Sequence, residues 1–120
     1  MDHYAEIKKL VNKLNGPKEL SEREDRRLFK LLVSEGKLIA SCHIESAKVD
    51  YDQGLLDLSG IANSIEDVYD TIISICAEFG IDITNPYILE AIMDGRDVEA
   101  NAWAKKEFGL DDWYDIGFRK

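Results

Sequence analysis

Apolar residues recur three and four positions apart at the start of the chain, which is the spacing of one face of an α-helix. The apolar positions of this first segment are Tyr4, Ile7, Leu10, Val11 and Leu14. They predict an amphipathic helix over residues 3–14. The sequence Asn15-Gly16-Pro17 that follows is typical of a turn, so we expect this helix to end there.

A second helix is predicted over residues 22–34, where capping and apolar spacing agree. Ser21 and Glu24 form the pattern of a capping box, in which each side chain binds the other residue's backbone amide. The apolar stripe of this helix contains Leu28, Leu31 and Leu32. Gly36 suits the left-handed residue that follows a helix, and we therefore expect the helix to end before it.

Residues 37–58 fit two different structures. Apolar and polar side chains alternate from Leu38 to Glu45, as in a half-buried strand, and Gln53-Gly54 then marks a turn. Several apolar side chains of the same stretch also fall on one side of a helix: Leu38, Ile39, Cys42 and Ala47. We favour a helix followed by a loop and keep a short β-hairpin near 37–58 as the alternative.

The clearest amphipathic helix is predicted over residues 65–79, and Gly80 is expected to end it. Its apolar face consists of Ile65, Val68, Tyr69, Ile72, Ile75, Cys76 and Phe79. Its polar face consists of Glu66, Asp67, Asp70, Ser74 and Glu78. This separation predicts one buried side and one acidic, solvated side.

Two more helices are expected in the last third of the chain. Asn85-Pro86 is a good helix start, and Gly95 is expected to close that helix. Asp97 is then interpreted as the cap of a further helix that Gly109 ends. The aromatic tail is expected to fold back over the core through Trp113 and Phe118.

These elements predict a mainly α fold, a small single-domain helical bundle of about five to six helices over residues 1–120. The chain has 120 residues, of which 45% are hydrophobic, and this is enough to build one core. No apolar run approaches the ~20 residues of a membrane span, and the first residues lack the pattern of a secretory signal. We therefore expect a cytoplasmic protein that does not enter a membrane.

The charge distribution is the most unusual property of the sequence. The net charge is −9, and residues 49–95 contain ten acidic residues and no lysine or arginine. Such a surface repels nucleic acids and anionic membranes, whose binding requires basic side chains. It favours a positively charged protein or a metal ion. The alternative is that the acidity only keeps the protein soluble.

Candidate catalytic and metal-binding chemistry is sparse. Cys42 and His43 are adjacent, but neighbouring side chains on a strand point apart, and no motif sets a base against a nucleophile. Cys76 falls on an apolar helix face and is expected to be a buried thiol. Residues 50–54 begin like a calcium loop, but the glycine comes one position early and the twelfth-position Glu is missing. We therefore predict no enzyme activity, no cofactor and no metal.

The predicted function is a small acidic binding or regulatory protein. Its acidic face would bind and inhibit a basic partner, such as a nucleic-acid-binding protein, as phage-type inhibitors do. The candidate partner-binding residues are Glu66, Asp67, Asp70, Glu78, Asp111, Asp112, Trp113, Tyr114 and Asp115. The alternatives are an immunity or antitoxin protein for a basic toxin, a small carboxylate- or metal-dependent enzyme, and a structural domain that forms homo-oligomers.

Overall fold

The computed structural model describes residues 3–17 and 19–118, which form five α-helices and a C-terminal 3₁₀ helix. The α-helices are α1 (His3–Leu14), α2 (Glu22–Asp52), α3 (Leu58–Glu66), α4 (Val68–Phe79) and α5 (Pro86–Phe108), and the 3₁₀ helix spans Trp113–Phe118. The described residues contain no strand. The mainly α prediction is confirmed, and the β-hairpin alternative near 37–58 is wrong, because most of that stretch continues α2.

Helix α2 begins at the predicted capping box. The backbone N–H of Glu24 donates to Ser21 Oγ at 3.2 Å, and the backbone N–H of Ser21 donates to Glu24 Oε1 at 3.1 Å. The prediction that the helix ends before Gly36 is wrong, because α2 continues for 31 residues to Asp52. The favoured prediction for residues 37–58, a helix followed by a loop, is confirmed, since α2 covers 37–52 and a loop leads to α3 at Leu58.

The backbones of α2 and α5 touch at two glycines. A Cβ atom on Gly36 would lie 1.9 Å from the carbonyl oxygen of Ile92, and one on Gly95 would lie 2.1 Å from the carbonyl oxygen of Val33. Both glycines therefore permit close helix contact. The prediction that Gly95 ends a helix is wrong, because α5 is continuous. The close packing of α2 against α5 therefore outweighs the ~1 kcal/mol by which a glycine destabilises the interior of a helix.

Helices α2 and α5 run in the same direction and share two hydrophobic clusters. Early residues of both helices, together with α1 and α4, form the first cluster, which includes Leu28, Leu32, Ile88 and Ile92. Later residues, together with α3 and the 3₁₀ helix, form the second, which includes Ile44, Ala47, Ala100 and Ala104. The pair α2 and α5 makes the most extensive contact of the fold.

The predicted helix over 65–79 is two helices. Asp67 ends α3 and begins α4, and α3 starts earlier than expected, where the Asp57 side chain caps its first turn at 2.8 Å. Gly80 and Gly109 end α4 and α5 in the left-handed conformation, as predicted, with φ of 67° and 69°. The break at Asp67 places Glu66 at the end of α3 and Asp70 in the first turn of α4.

Substituting Gly36 with alanine should destabilise the protein, because the added methyl group meets backbone atoms that cannot move away as a side chain would. We expect Gly36→Ala to lower the free energy of unfolding by about 1–3 kcal/mol or more. Urea unfolding followed by far-UV circular dichroism measures this change. Gly117→Ala is the control, since its Cβ would meet only Ala62 at 3.4 Å. A Gly36→Ala variant as stable as the wild type would contradict the contact.

Stability should also fall in acid through Glu24. The hydrogen bond from Lys13, and then that from the Ser21 backbone, lower the pKa of Glu24 from 4.5 to about 2. A carboxyl group with a lowered pKa stabilises the fold above pH 4.5, and this contribution is lost as the pH falls toward 2. We expect Glu24→Gln to lower the melting temperature at neutral pH and to match the wild type near pH 2. Glu90→Gln, at an exposed carboxylate outside the ion pairs of the described residues, is the control. A difference between Glu24→Gln and the wild type that does not vary with pH would contradict this assignment.

Candidate functional site

An open groove lies where the α3–α4 junction, the middle of α5 and the 3₁₀ helix meet. Its volume is about 540 Å³, within the ~300–1,000 Å³ range of ligand-binding clefts. We name it the acidic–aromatic groove, and its lining residues are Glu66, Asp67, Tyr69, Asp70, Met93, Arg96, Trp113 and Tyr114. The groove therefore joins two groups of predicted site residues that are far apart in sequence.

A smaller groove of about 180 Å³ extends this surface along the 3₁₀ helix. It shares Glu66, Trp113 and Tyr114 with the acidic–aromatic groove and ends at Phe118. Phe118 is 71% exposed, so the expectation that it folds over the core is wrong. Trp113, in contrast, is 7% exposed and does fold back as predicted.

The three carboxylates of the groove are held at a helix junction. Glu66 is the last residue of α3, Asp67 joins the two helices, and Asp70 lies in the first turn of α4. All three are exposed, and the Asp67 side chain makes no capping hydrogen bond. The three negative charges are therefore exposed to solvent, and Asp67 does not use its carboxylate to cap α4.

Within residues 3–17 and 19–118, basic side chains leave most of this acidic block without an ion pair. Among the ion pairs of the described residues, the block 49–95 contributes only Asp52, which binds Lys48 at 2.8 Å. Two arginines at the start of α2 form ion pairs with acidic residues outside this block: Arg26 pairs with Glu22, and Arg27 pairs with Glu6. Consequently, no ion pair among the described residues cancels the negative charge of Glu66, Asp67 and Asp70 at short range.

One arginine is built into the wall of the groove. Asp97 Oδ1 accepts hydrogen bonds from Arg96 Nε at 3.0 Å, from Arg96 Nη2 at 2.8 Å and from Trp113 Nε1 at 3.0 Å. The Arg96 guanidinium carbon also lies 4.9 Å from the centre of the Trp113 ring. The interpretation of Asp97 as a helix cap is therefore wrong, because this residue lies within α5 and ties the 3₁₀ helix to it.

The start of the 3₁₀ helix is fixed by two further hydrogen bonds. The backbone N–H of Trp113 donates to Asn101 Oδ1 at 2.8 Å, and that of Tyr114 donates to Asp112 Oδ1 at 2.9 Å. The Tyr114 ring packs against Trp113 with ring centres 5.9 Å apart, yet the side chain is 56% exposed. Tyr114 is thus an aromatic surface held at a defined position.

The structure brings together only part of the predicted site. The groove contains Glu66, Asp67, Asp70, Trp113 and Tyr114. Four other predicted residues lie outside its lining, namely Glu78, Asp111, Asp112 and Asp115. Of these, Asp112 caps the 3₁₀ helix, and Asp111 lies 3.9 Å from Lys105.

Three residues of the groove were missed by sequence reasoning. Tyr69 was assigned to the apolar face of its helix but is 41% exposed beside the carboxylates. Met93 was assigned to a buried face. Arg96 follows directly after the acidic block, and no sequence signal links it to Trp113, because that contact depends on where α5 ends and the chain turns back.

The adjacent Cys42 and His43 do not form a catalytic pair. His43 Nδ1 lies 2.9 Å from the carbonyl oxygen of Ser64, and Nε2 lies 2.9 Å from Thr71 Oγ1, so the imidazole links α2 to α3 and α4. Both cysteines are free thiols, and Cys42 is exposed. Cys76 is buried as predicted, and burial raises the pKa of its thiol.

Residues 3–17 and 19–118 contain no group of three or more His, Cys, Asp or Glu side chains placed to hold a metal ion. Within the same residues, no helix combines the length and the apolar character needed to cross a bilayer.

Comparison of the chain with protein-family models, with curated proteins and with solved structures gave no match. The function is therefore argued from the chemistry of the site.

Removing the Asp97 carboxylate should loosen the groove wall. Asp97→Ala leaves the Arg96 guanidinium and the Trp113 indole N–H without their shared acceptor, and we expect the free energy of unfolding to fall by about 1–2 kcal/mol. Urea unfolding monitored by tryptophan fluorescence measures this loss. Asp94→Ala, which removes an exposed carboxylate from the same helix, is the matched control. Equal stabilities of the two variants would refute the anchoring role of Asp97.

Proposed function

We propose that this chain is a small non-enzymatic binding protein that presents the acidic–aromatic groove to a basic protein partner. By occupying a phosphate-binding surface of that partner, it would inhibit nucleic-acid binding. The observation that supports this proposal is the gathering of Glu66, Asp67 and Asp70 beside exposed aromatic rings in one open groove.

The charge of the groove selects the class of partner. Three exposed carboxylates that form no ion pair with described residues attract a cationic surface and repel a phosphate backbone. Arg96, the one basic residue among the described residues of the groove lining, donates to Asp97 and leaves these three carboxylates available. Association with a basic partner should be fast and should weaken as salt screens the charges.

The aromatic side chains provide the contact area that charge alone does not. Tyr69 and Tyr114 are 41% and 56% exposed and lie in the same groove as the carboxylates. Tyrosine is enriched at the centres of protein interfaces, where it buries a large area at little cost in side-chain entropy. A groove lined by both aromatic rings and carboxylates is therefore suited to a protein surface rich in arginine or lysine.

An immunity or antitoxin protein is a narrower form of the same proposal, in which the basic partner is a toxin. The groove supports both forms equally, because both require an acidic surface that covers a cationic one.

Reversing charge in the groove should abolish partner binding without unfolding the protein. We expect immobilised wild-type protein to retain a basic partner from the native host at low ionic strength and to release it at high salt. The double variant Glu66→Lys/Asp70→Lys should lose this partner, because it places cations at the groove. The captured protein is identified by mass spectrometry, and its binding to DNA or RNA is then measured with and without the purified chain.

The matched control is Glu78→Lys/Glu90→Lys, which makes the same change in net charge at exposed positions outside the groove lining. This control should retain the partner. Equal retention by both double variants, or retention that does not vary with salt, would contradict a role for the groove. If the partner binds nucleic acid equally well with and without the chain, inhibition is excluded.

A further inference from the structure

The wall of the acidic–aromatic groove already contains one bound arginine. The Arg96 guanidinium lies over the Trp113 ring, with its carbon 4.9 Å from the ring centre, while its Nε and Nη2 donate to Asp97. The side chain of Arg96 is only 13% exposed. An aromatic face and a carboxylate together thus hold a guanidinium within this protein.

A second aromatic ring and a second carboxylate line the same groove. Tyr114 offers an exposed ring, and Glu66 lines both the acidic–aromatic groove and the smaller groove together with Tyr114. No described basic residue other than Arg96 lines either groove. The Tyr114 ring and the Glu66 carboxylate therefore have no second cation from the described residues in either groove lining.

Two neighbouring aromatic rings hold the Tyr114 ring in a position where a ligand group could stack on it. Trp113 contacts it from one side with ring centres 5.9 Å apart, and Phe118 from another at 5.5 Å. These contacts hold the ring in position while more than half of the side chain remains accessible. A fixed ring loses little entropy when a ligand stacks on it.

We propose that this part of the groove recognises an arginine side chain of the basic partner, with its guanidinium on Tyr114 and its N–H groups donating to Glu66. The inference rests on the proposed function and specifies the chemistry of the partner. Arginine is preferred to lysine because a planar guanidinium stacks on a ring and donates two parallel hydrogen bonds to a carboxylate. A lysine ammonium is a more strongly hydrated point charge and does not combine both contacts.

Two blocked peptides of identical length test this preference, one with arginine and the other with lysine at all cationic positions. Isothermal titration into the full chain measures both affinities. We expect the arginine peptide to bind about two- to fivefold tighter, which is the range of one exposed cation–π contact. Tyr114→Leu should remove this preference by weakening only the arginine peptide, whereas Tyr114→Phe should retain it.

Phe29→Leu is the control, since it changes an exposed aromatic residue that lines neither groove. Thermal melting verifies that each variant is folded. If Tyr114→Leu melts early, Glu66→Gln tests the carboxylate contact of the same site without disturbing the rings and should weaken the arginine peptide about two- to fivefold.

The outcomes separate this inference from the proposed function. Equal affinities for the two peptides, both lost in Glu66→Lys/Asp70→Lys, would overturn arginine recognition and leave an acidic site for basic partners. A preference for arginine that survives Tyr114→Leu would also overturn it. Failure of the chain to bind either peptide would count against both proposals.

Discussion

The direct backbone contact between α2 and α5 at Gly36 and Gly95 is the constraint on which the rest of this structure depends. Two long helices can approach so closely only where neither residue has a side chain. Helix α2 alone, with 31 residues at ~1.5 Å per residue, accounts for most of the 52 Å long axis. The remaining elements pack on this pair as two separate clusters, one toward each end.

The position of the groove follows from that contact. Met93 and Arg96 flank Gly95 on α5, so the residues that form one wall of the groove are fixed where the helix is held most tightly. Asp97 then links Arg96 to Trp113, which fixes the 3₁₀ helix and the Tyr114 ring beside it. The carboxylates of the opposite wall come from a helix junction whose central residue, Asp67, uses no side-chain cap. Hydrogen bonds and ring contacts therefore position the aromatic part of the site, whereas its acidic part is exposed to solvent.

Local signals in the sequence predicted the parts of the fold that local interactions determine. The Ser21 capping box, the Asn85-Pro86 helix start and the left-handed Gly80 and Gly109 all lie where they were expected. Gly36 and Gly95 were misinterpreted, because a glycine that ends a helix and one that admits a neighbouring backbone look the same in sequence. Only the partner helix distinguishes the two cases.

The candidate site was predictable only as separate groups of residues. Helical periodicity identified Glu66, Asp67 and Asp70 as solvated, and the composition of the tail drew attention to Trp113 and Tyr114. Their meeting in one groove depends on the break in the helix at residue 67 and on the return of the chain after α5, neither of which follows from side-chain spacing. Arg96 and its bond to Asp97 depend on the same return.

The central claim is that a cationic partner group enters the acidic–aromatic groove, and the most direct test is a ¹H–¹⁵N NMR titration with the arginine peptide. The chain has two tryptophans, and the indole N–H of Trp113 lies in the groove wall whereas Trp103 lines a different surface. We expect saturable shifts at the Trp113 indole and at the amides of Glu66, Tyr69, Asp70 and Tyr114, with the Trp103 indole unchanged. Shifts spread over all acidic positions, or centred on Trp103, would contradict it.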